Sequence, residues 1–287
     1  MSLHTTETTV APRTTLVIGA TGKTGRRVVD RLVAAGWPVR AASRTADTRF
    51  DWNDRSTWAP ALAGVSAVYI TYYPDLAFPG AADTVGDLAD LAVAQGVRRL
   101  VLLSGRGEDG ARKAEERLQR SGADWTVVRC AFFNQNFSET FAEPVRHGVL
   151  AMPAGNTAEP FLDAEDIADV VVASLTDDRH IGQLYELTGP HLLTLRDVAA
   201  ELSRAMGREV QYIAMSAEEY ASDLIDHGMP EDEARPIAAL IAEVLDGRNA
   251  HLTDGVERAL GRPPRSFADY AAEAAAGGVW SLERVAS

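Results

Sequence analysis

One cysteine, Cys130, stands in the entire chain, so no internal disulfide can brace the fold and no thiolate cluster can hold a metal. No Cys/His cluster with metal-ligand spacing occurs elsewhere either. Long apolar runs are missing as well. No stretch reaches the roughly 18 apolar residues of a membrane span, and residues 1–12 (MSLHTTETTVAP) lack the basic-then-apolar plan of a signal peptide. A cytoplasmic protein is expected. A basic surplus is also absent: Lys and Arg total 28 against 41 Asp and Glu, a formal charge of −13. The basic residues are scattered, and such a balance repels nucleic-acid phosphates and anionic membranes, so neither is expected as a partner. What the chain does have is 287 residues of which 46% are hydrophobic, enough for one large core or two packed ones. Cys130 lies in the apolar run 125–133 and reads as a buried thiol, not a nucleophile.

The organising stretch is Thr15-Leu-Val-Ile-Gly-Ala-Thr-Gly-Lys-Thr-Gly25. A short β-favouring run enters glycines at 19, 22 and 25, and a helical pattern over 26–33 begins at once. Such a turn needs residues without Cβ where φ is positive or the backbone approaches a ligand, and the following helix directs its free N–H groups at whatever occupies the turn. A diphosphate suits it, with Gly19, Thr21, Gly22, Lys23, Thr24 and Gly25 as contacts; a plain glycine-rich connection is the alternative. A second strand over 37–43 closes at Ser43-Arg44. Dinucleotide folds that take NAD place an acid about 20 residues past the glycines, whereas a basic side chain suits a 2′-phosphate. Ser43 and Arg44 therefore favour NADP(H) over NAD, against the alternative of an exposed strand-end arginine.

Further on, Asp51-Trp52 precedes a turn and a helix over 54–63. Asp51 suits an adenine amino group or a solvated turn equally well. The strand 66–71 runs into Tyr72-Tyr73-Pro74, a loop at the carboxyl edge of the sheet, where open α/β folds bind ligands. Thr71 and Tyr72 are expected to border the cofactor and Tyr73 the substrate. Helix 81–95, strand 99–104, helix 111–120 and strand 125–129 continue the alternation, which is that of a parallel sheet covered on both faces. Then the rhythm breaks. Phe132, Phe133, Asn134, Asn136 and Phe137 mix aromatic and amide groups just past a strand end, the rim of a cleft. Asp163 and Asp166 can cap a helix over 167–175, 183–187 offers another strand, Thr194 caps a helix over 195–206, and 210–214 is a short strand before a mostly helical remainder. The expected division is a mobile tail 1–12, a dinucleotide domain 13–155 to whose sheet 160–190 returns, and a helix-rich lobe 191–287.

The spacing Gly19-x-x-Gly22-x-x-Gly25 is similar to that of extended and atypical short-chain dehydrogenase/reductases. GATGKTG (19–25), Arg44, LVLLSG (100–105), SGADWTVVR (121–129), FFNQNF (132–137) and PFLDAEDIADV (160–170) resemble the NmrA-like branch in particular, over roughly residues 14–215. Within it the similarity is strongest to reductases of the ergot-alkaloid-dehydrogenase and quinone-reductase kind. The resemblance implies a Rossmann-like doubly wound α/β sheet with a small helix-rich C-terminal substrate lobe, a nicotinamide cofactor and a small-molecule substrate. It leaves monomer or homodimer open.

One departure from that pattern bears on chemistry. Relatives with full catalytic machinery place a Tyr four residues before a Lys, the Tyr passing a proton to a carbonyl oxygen. Lys113 fits the Lys place, Asp109 stands where the Tyr belongs, and no Tyr occurs between Tyr73 and Tyr185. The expected function is an NADPH-dependent oxidoreductase delivering hydride to a conjugated or iminium acceptor such as a quinone, enone or cyclic imine. Ser104, Asp109 and Lys113 are its candidate helpers, Ser104 and Lys113 also touching cofactor. The alternatives are an NADP(H)-sensing regulator without turnover and, behind it, an epimerase or dehydratase.

Overall fold

The structure is a computed structural model that describes residues 14–282; the expected tail 1–12 lies outside them. In chain order its elements are β1 Thr15–Ile18, α1 Lys23–Ala34, β2 Val39–Ser43, β3 Thr48–Arg49, α2 Trp58–Leu62, β4 Ala67–Ile70, α3 Ala81–Ala94, β5 Arg99–Gly105, α4 Asp109–Gln119, β6 Asp124–Cys130 and α5 Ala142–Arg146. There follow β7 Val149–Met152, β8 Ala158–Glu159, α6 Ala164–Thr176, β9 Gln183–Leu187, β10 Leu193–Thr194, α7 Leu195–Met206, β11 Gln211–Ala214, α8 Ala217–Asp226, α9 Glu231–Val244, α10 Gly255–Leu260 and α11 Phe267–Ala276.

Seven strands form one parallel sheet in the order β3-β2-β1-β4-β5-β6-β9. Connections run outward in opposite directions from β1 and β4, so a crevice opens between their carboxyl ends, where open α/β sheets bind ligands. Alternation along the strands divides the core. Leu16, Ile18, Val68, Ile70, Leu100, Leu102 and Val127 face α2, α3 and α4. Val17, Tyr69, Val101 and Val128 face α1, α6 and α10. Burial on both faces is why these strands read as continuous apolar runs.

Beyond the sheet, β7 pairs parallel with β11, and β8 antiparallel with β10. Phe137, Phe161, Phe267, Tyr270 and Trp280 gather there with α7 and α11 in a separate apolar cluster. Thr194 caps α7 in a reciprocal box with Asp197, and Asp163 caps α6, each satisfying helix N–H groups that have no partner within the helix. Three sequence expectations shift. α1 begins at Lys23, which puts Gly25 inside its first turn. α4 begins at Asp109, with Glu108 as its N-cap residue. The edge strand β3 was not expected; it has two residues, too short to show a period. No helix among the described residues is long and apolar enough to cross a membrane.

Candidate active site

The glycine turn has the stereochemistry a diphosphate requires. Gly19 takes φ +71°, and a Cβ on it would fall on Thr71 Oγ1, which itself donates to the Ile18 carbonyl at 3.0 Å. A Cβ on Gly25 would lie 2.7 Å from the Gly19 carbonyl carbon and closer still to its oxygen. The first turn of α1 therefore sits on the end of β1 as only glycine allows. Thr21 and Gly22 are exposed. No side chain caps α1 and its first turn carries no acid, which leaves the positive helix end to a ligand. Arg44, also exposed, follows β2, and its guanidinium stands 5.1 Å over the Tyr73 ring. Glycine cradle, uncapped helix start and exposed arginine fit a dinucleotide diphosphate and a 2′-phosphate.

From this turn a cavity of about 390 Å³ extends over the carboxyl ends of β4, β5 and β6, within the range of small-molecule sites. Lys23 belongs to both, as first residue of α1 and part of the cavity wall. Its ammonium donates to Thr140 Oγ1 at 2.8 Å, and burial holds its pKa below the usual lysine value. Tyr72, Ser104, Phe132, Phe133 and Asn136 line the cavity, and Leu240, Ile241 and Val244 of α9 cover it. The end of α9 is tied down through the buried Arg106, which donates to Glu186 at 2.9 Å and to the Asn249 carbonyl at 3.2 Å. Arg248 donates to the Gly107 carbonyl from the same segment.

Several expected site residues lie elsewhere. Asp109 and Lys113 are exposed, and Asp109 pairs with Arg112. The turn of α4 aims Ala111, Ala114, Glu115 and Leu118 inward, so residues 109 and 113 face solvent and line no cavity wall. Their placement does not bring them to the cavity wall where the expected catalytic role would put them. Tyr73 is 63% exposed, outside the cavity and beside Arg44. Asn134 is fully buried and lines no part of the cavity; its backbone N–H holds the Leu162 carbonyl at 2.8 Å. Thr24 turns its hydroxyl into the core, accepting from Tyr69 Oη at 2.9 Å. Ser43 Oγ accepts from the N–H groups of Thr45 and Ala46, shaping the turn before β3. Asp51 accepts from Asn53 N–H at 3.0 Å, as a turn acid does, while the Trp52 indole donates to the Thr71 carbonyl at 3.1 Å and packs on Tyr72. Ser104 lines the cavity, but its hydroxyl donates to Glu115 at 2.6 Å. Cys130 is buried and burial pushes its thiol pKa up, in keeping with a packing role.

Three acids that the sequence reading passed over line the cavity: Asp75 after β4, Glu108 before α4 and Glu159 in β8. Burial, with the Asp75 charge adding to it, pushes Glu108 up to about 9, and burial raises Asp75 as well. Burial also lifts Glu159 to about 7. Glu159 Oε1 accepts from Phe132 N–H at 3.4 Å, while Oε2 has no partner among the described residues. The signal for Glu108 was its place in the polar loop 105–110 at a strand end, where Asp109 drew attention instead.

Comparison with known proteins gives one consistent picture. The model of the NmrA-like family matches residues 12–263. An NAD(P)H azoreductase of Xenophilus azovorans is 35% identical over 92% of this chain and 99% of its own. An agroclavine dehydrogenase of Claviceps fusiformis is 31% identical over 91% of this chain and 96% of its own. In structure, an NADPH-dependent quinone oxidoreductase of Escherichia coli, complexed with NADPH, superposes with a TM-score of 0.76 at 23% identity, covering 90% of this chain and 99% of that one.

Proposed function

The chain belongs to the NmrA-like family, and from that premise we propose that it is an NAD(P)H-dependent oxidoreductase reducing a small conjugated acceptor in the cavity under α9. The observation that carries the reading is the continuity of the two sites. Lys23 opens the helix whose free end faces the glycine turn, and the same residue walls the cavity. The turn from Gly19 to Gly25 would hold the diphosphate, and Arg44 beside Tyr73 would take a 2′-phosphate, favouring NADPH. Bound this way, the nicotinamide supplies hydride. Phe132, Phe133 and the apolar residues of α9 exclude water from the acceptor and set its face. The seven-stranded sheet and its helices would carry the cofactor, and β7, β8, β10 and β11 with α7, α8, α9 and α11 would act as the substrate lobe.

NADPH binding followed by calorimetry, together with NADPH oxidation over a panel of quinones, enones, azo compounds and cyclic imines, tests the reading. Micromolar or tighter binding with oxidation by at least one acceptor is expected. Tight binding without oxidation by any acceptor, and a protein partner captured in only one redox form, would transfer the chain to the cofactor-sensing class.

A further inference from the structure

Asp75 and Glu108 both line the cavity, from the loops after β4 and β5, and the Asp75 charge adds to burial in favouring the protonated form of Glu108. Two buried carboxyl groups at one cavity wall, with no cation paired to either among the described residues, do not both ionise readily, so a proton stays with the pair. Their placement is built into the backbone. A Cβ on Gly105 would fall on the Glu108 carboxyl carbon and both its oxygens, so the acid lies directly over a residue with no side chain. A Cβ on Gly110 would stand 2.7 Å from the Leu76 carbonyl oxygen, so the first turn of α4 can press against the Asp75 loop only without one. Ala77 N–H donates to Asp75 Oδ1 at 2.8 Å and fixes its direction.

The surroundings keep the proton on the pair. Glu108 is 8% exposed. Facing it are Asp75 from the loop after β4, Glu115 from α4 and Glu243 from α9. The cations nearby are otherwise engaged: Arg248 with Glu243, Asp246 and the Gly107 carbonyl, Arg106 with Glu186. No ion pair reaches Glu108 among the described residues. Independently, Glu159 lines the same cavity at 2% exposure, with Oε2 unpartnered among those residues. A buried carboxyl oxygen without a partner is costly unless a ligand supplies one.

We propose that Glu108, holding the proton it shares with Asp75, is the proton donor of the reduction and takes the place of the absent tyrosine. The proposal rests on the reductase reading. It assigns the site to neutral acceptors in which hydride arrival leaves negative charge on oxygen or nitrogen, as in an enone or an azo compound. The π bond of the acceptor breaks and both electrons of the new bond at one end come with the hydride from NADPH, which is oxidised. The atom at the other end forms its O–H or N–H bond with the proton from Glu108. The pair is left doubly ionised and regains one proton from solvent.

Two measurements decide it. In the cofactor-free protein with ¹³C-labelled carboxyl groups, one Glu resonance titrates far above the usual carboxylate range, is missing in Glu108→Gln and moves down in Asp75→Asn. In turnover with the neutral acceptors that the wild type reduces, kcat falls on the alkaline side, and Glu108→Gln lowers kcat at least about tenfold while KM for NADPH stays within about twofold. Its remaining rate no longer depends on that titration. Absence of a high-titrating carboxyl, wild-type kcat in Glu108→Gln, or turnover confined to cationic iminium acceptors each overturns the donor role. No oxidation of NADPH by the wild type with any acceptor overturns the reductase reading itself, and the donor role falls with it.

Discussion

Replacing Gly25 by alanine probes the cofactor turn with a perturbation whose size can be read from the structure. The added Cβ would stand 2.7 Å from the Gly19 carbonyl carbon, whereas carbon atoms in contact sit about 3.5–4.0 Å apart. The start of α1 has to move off the end of β1 by about 1 Å. Overpacking of this kind costs about 1–3 kcal/mol of stability, and each kcal/mol lowers Tm by about 2–4 °C in a chain this large. The same shift lengthens the hydrogen bonds that the first α1 N–H groups would make to a diphosphate. Loss of one such charge-assisted bond, about 1.5–3 kcal/mol, weakens NADPH binding by about 10–150-fold. Gly22→Ala is the control: it has φ −82°, ψ 177° and a Cβ that would be 3.2 Å from the Gly19 oxygen. It should leave Tm within about 2 °C, whatever it does to binding at its exposed position. Calorimetric titration with NADPH and a thermal melt of each variant suffice. A folded Gly25→Ala protein binding NADPH within twofold of wild type would refute the assignment of this turn to the diphosphate.

Arg44→Ala should lower affinity for NADPH by about tenfold or more and leave NADH unchanged; parallel titrations with both cofactors measure it, and an unchanged preference removes Arg44 from 2′-phosphate recognition. Glu159 makes stability depend on pH in a defined direction. Its folded pKa, about 7, lies above the ordinary glutamate value of 4.5, so the folded state binds more protons and stability falls as pH rises from about 4.5 to 7. Glu159→Gln removes that dependence and should gain up to about 3 kcal/mol relative to wild type above pH 7; denaturant melts at pH 5 and 8 showing a pH-independent difference would refute it. Asp109→Ala and Lys113→Ala should keep kcat within about twofold and stability within about 0.5 kcal/mol, because both side chains face solvent. A tenfold fall in kcat in either would return the catalysis to the outer face of α4.

Much of the scaffold was legible because each signal was local. Apolar runs gave β1, β4, β5 and β6, those of β1 and β5 ended by glycine, and Gln183–Leu187 and Leu195–Met206 have the bounds their patterns implied. Gly19 and Gly25 were legible as a turn, and only the structure shows that Gly25 serves the contact of α1 with β1 and not a positive φ. The acids of the cavity were not legible, since Asp75, Glu108 and Glu159 come from three segments that meet only once β4, β5 and β8 are in place. Asp109 and Lys113 could have been set aside from the sequence itself. Ala111, Ala114 and Leu118 form the apolar stripe of α4, and a helix turning 100° per residue puts 109 and 113 off that stripe. Tyr73 was misplaced for a different reason: its neighbours Tyr72 and Pro74 do line the cavity, but the chain bends at Tyr73 and Pro74 and leaves the Tyr73 ring outside.

Why the proton should come from Glu108 and not from the inner face of α4 follows from what that face already does. Glu115 is the polar group there, 3% exposed, and both its oxygens are taken: Oε1 accepts from Ser104 Oγ at 2.6 Å and from Arg129 Nε at 2.9 Å, and Oε2 receives the Arg129 Nη2. Arg129 in turn reaches Glu186 at 3.2 Å, and Glu186 accepts from Arg106. This chain of charges joins β5, α4, β6 and β9 beneath the cavity and engages every acid in it with a guanidinium. Glu115, with both oxygens accepting from Arg129 and Ser104, has no contact left to offer a ligand, and Ser104, whose hydrogen points at Glu115, has none to spare either. Asp75 and Glu108 lie at the opposite extreme, buried against each other with no cation in contact among the described residues, and share a proton. The two carboxyl environments sit seven residues apart on one helix and its cap, one committed to holding the sheet together and the other left with a transferable proton at the cavity wall.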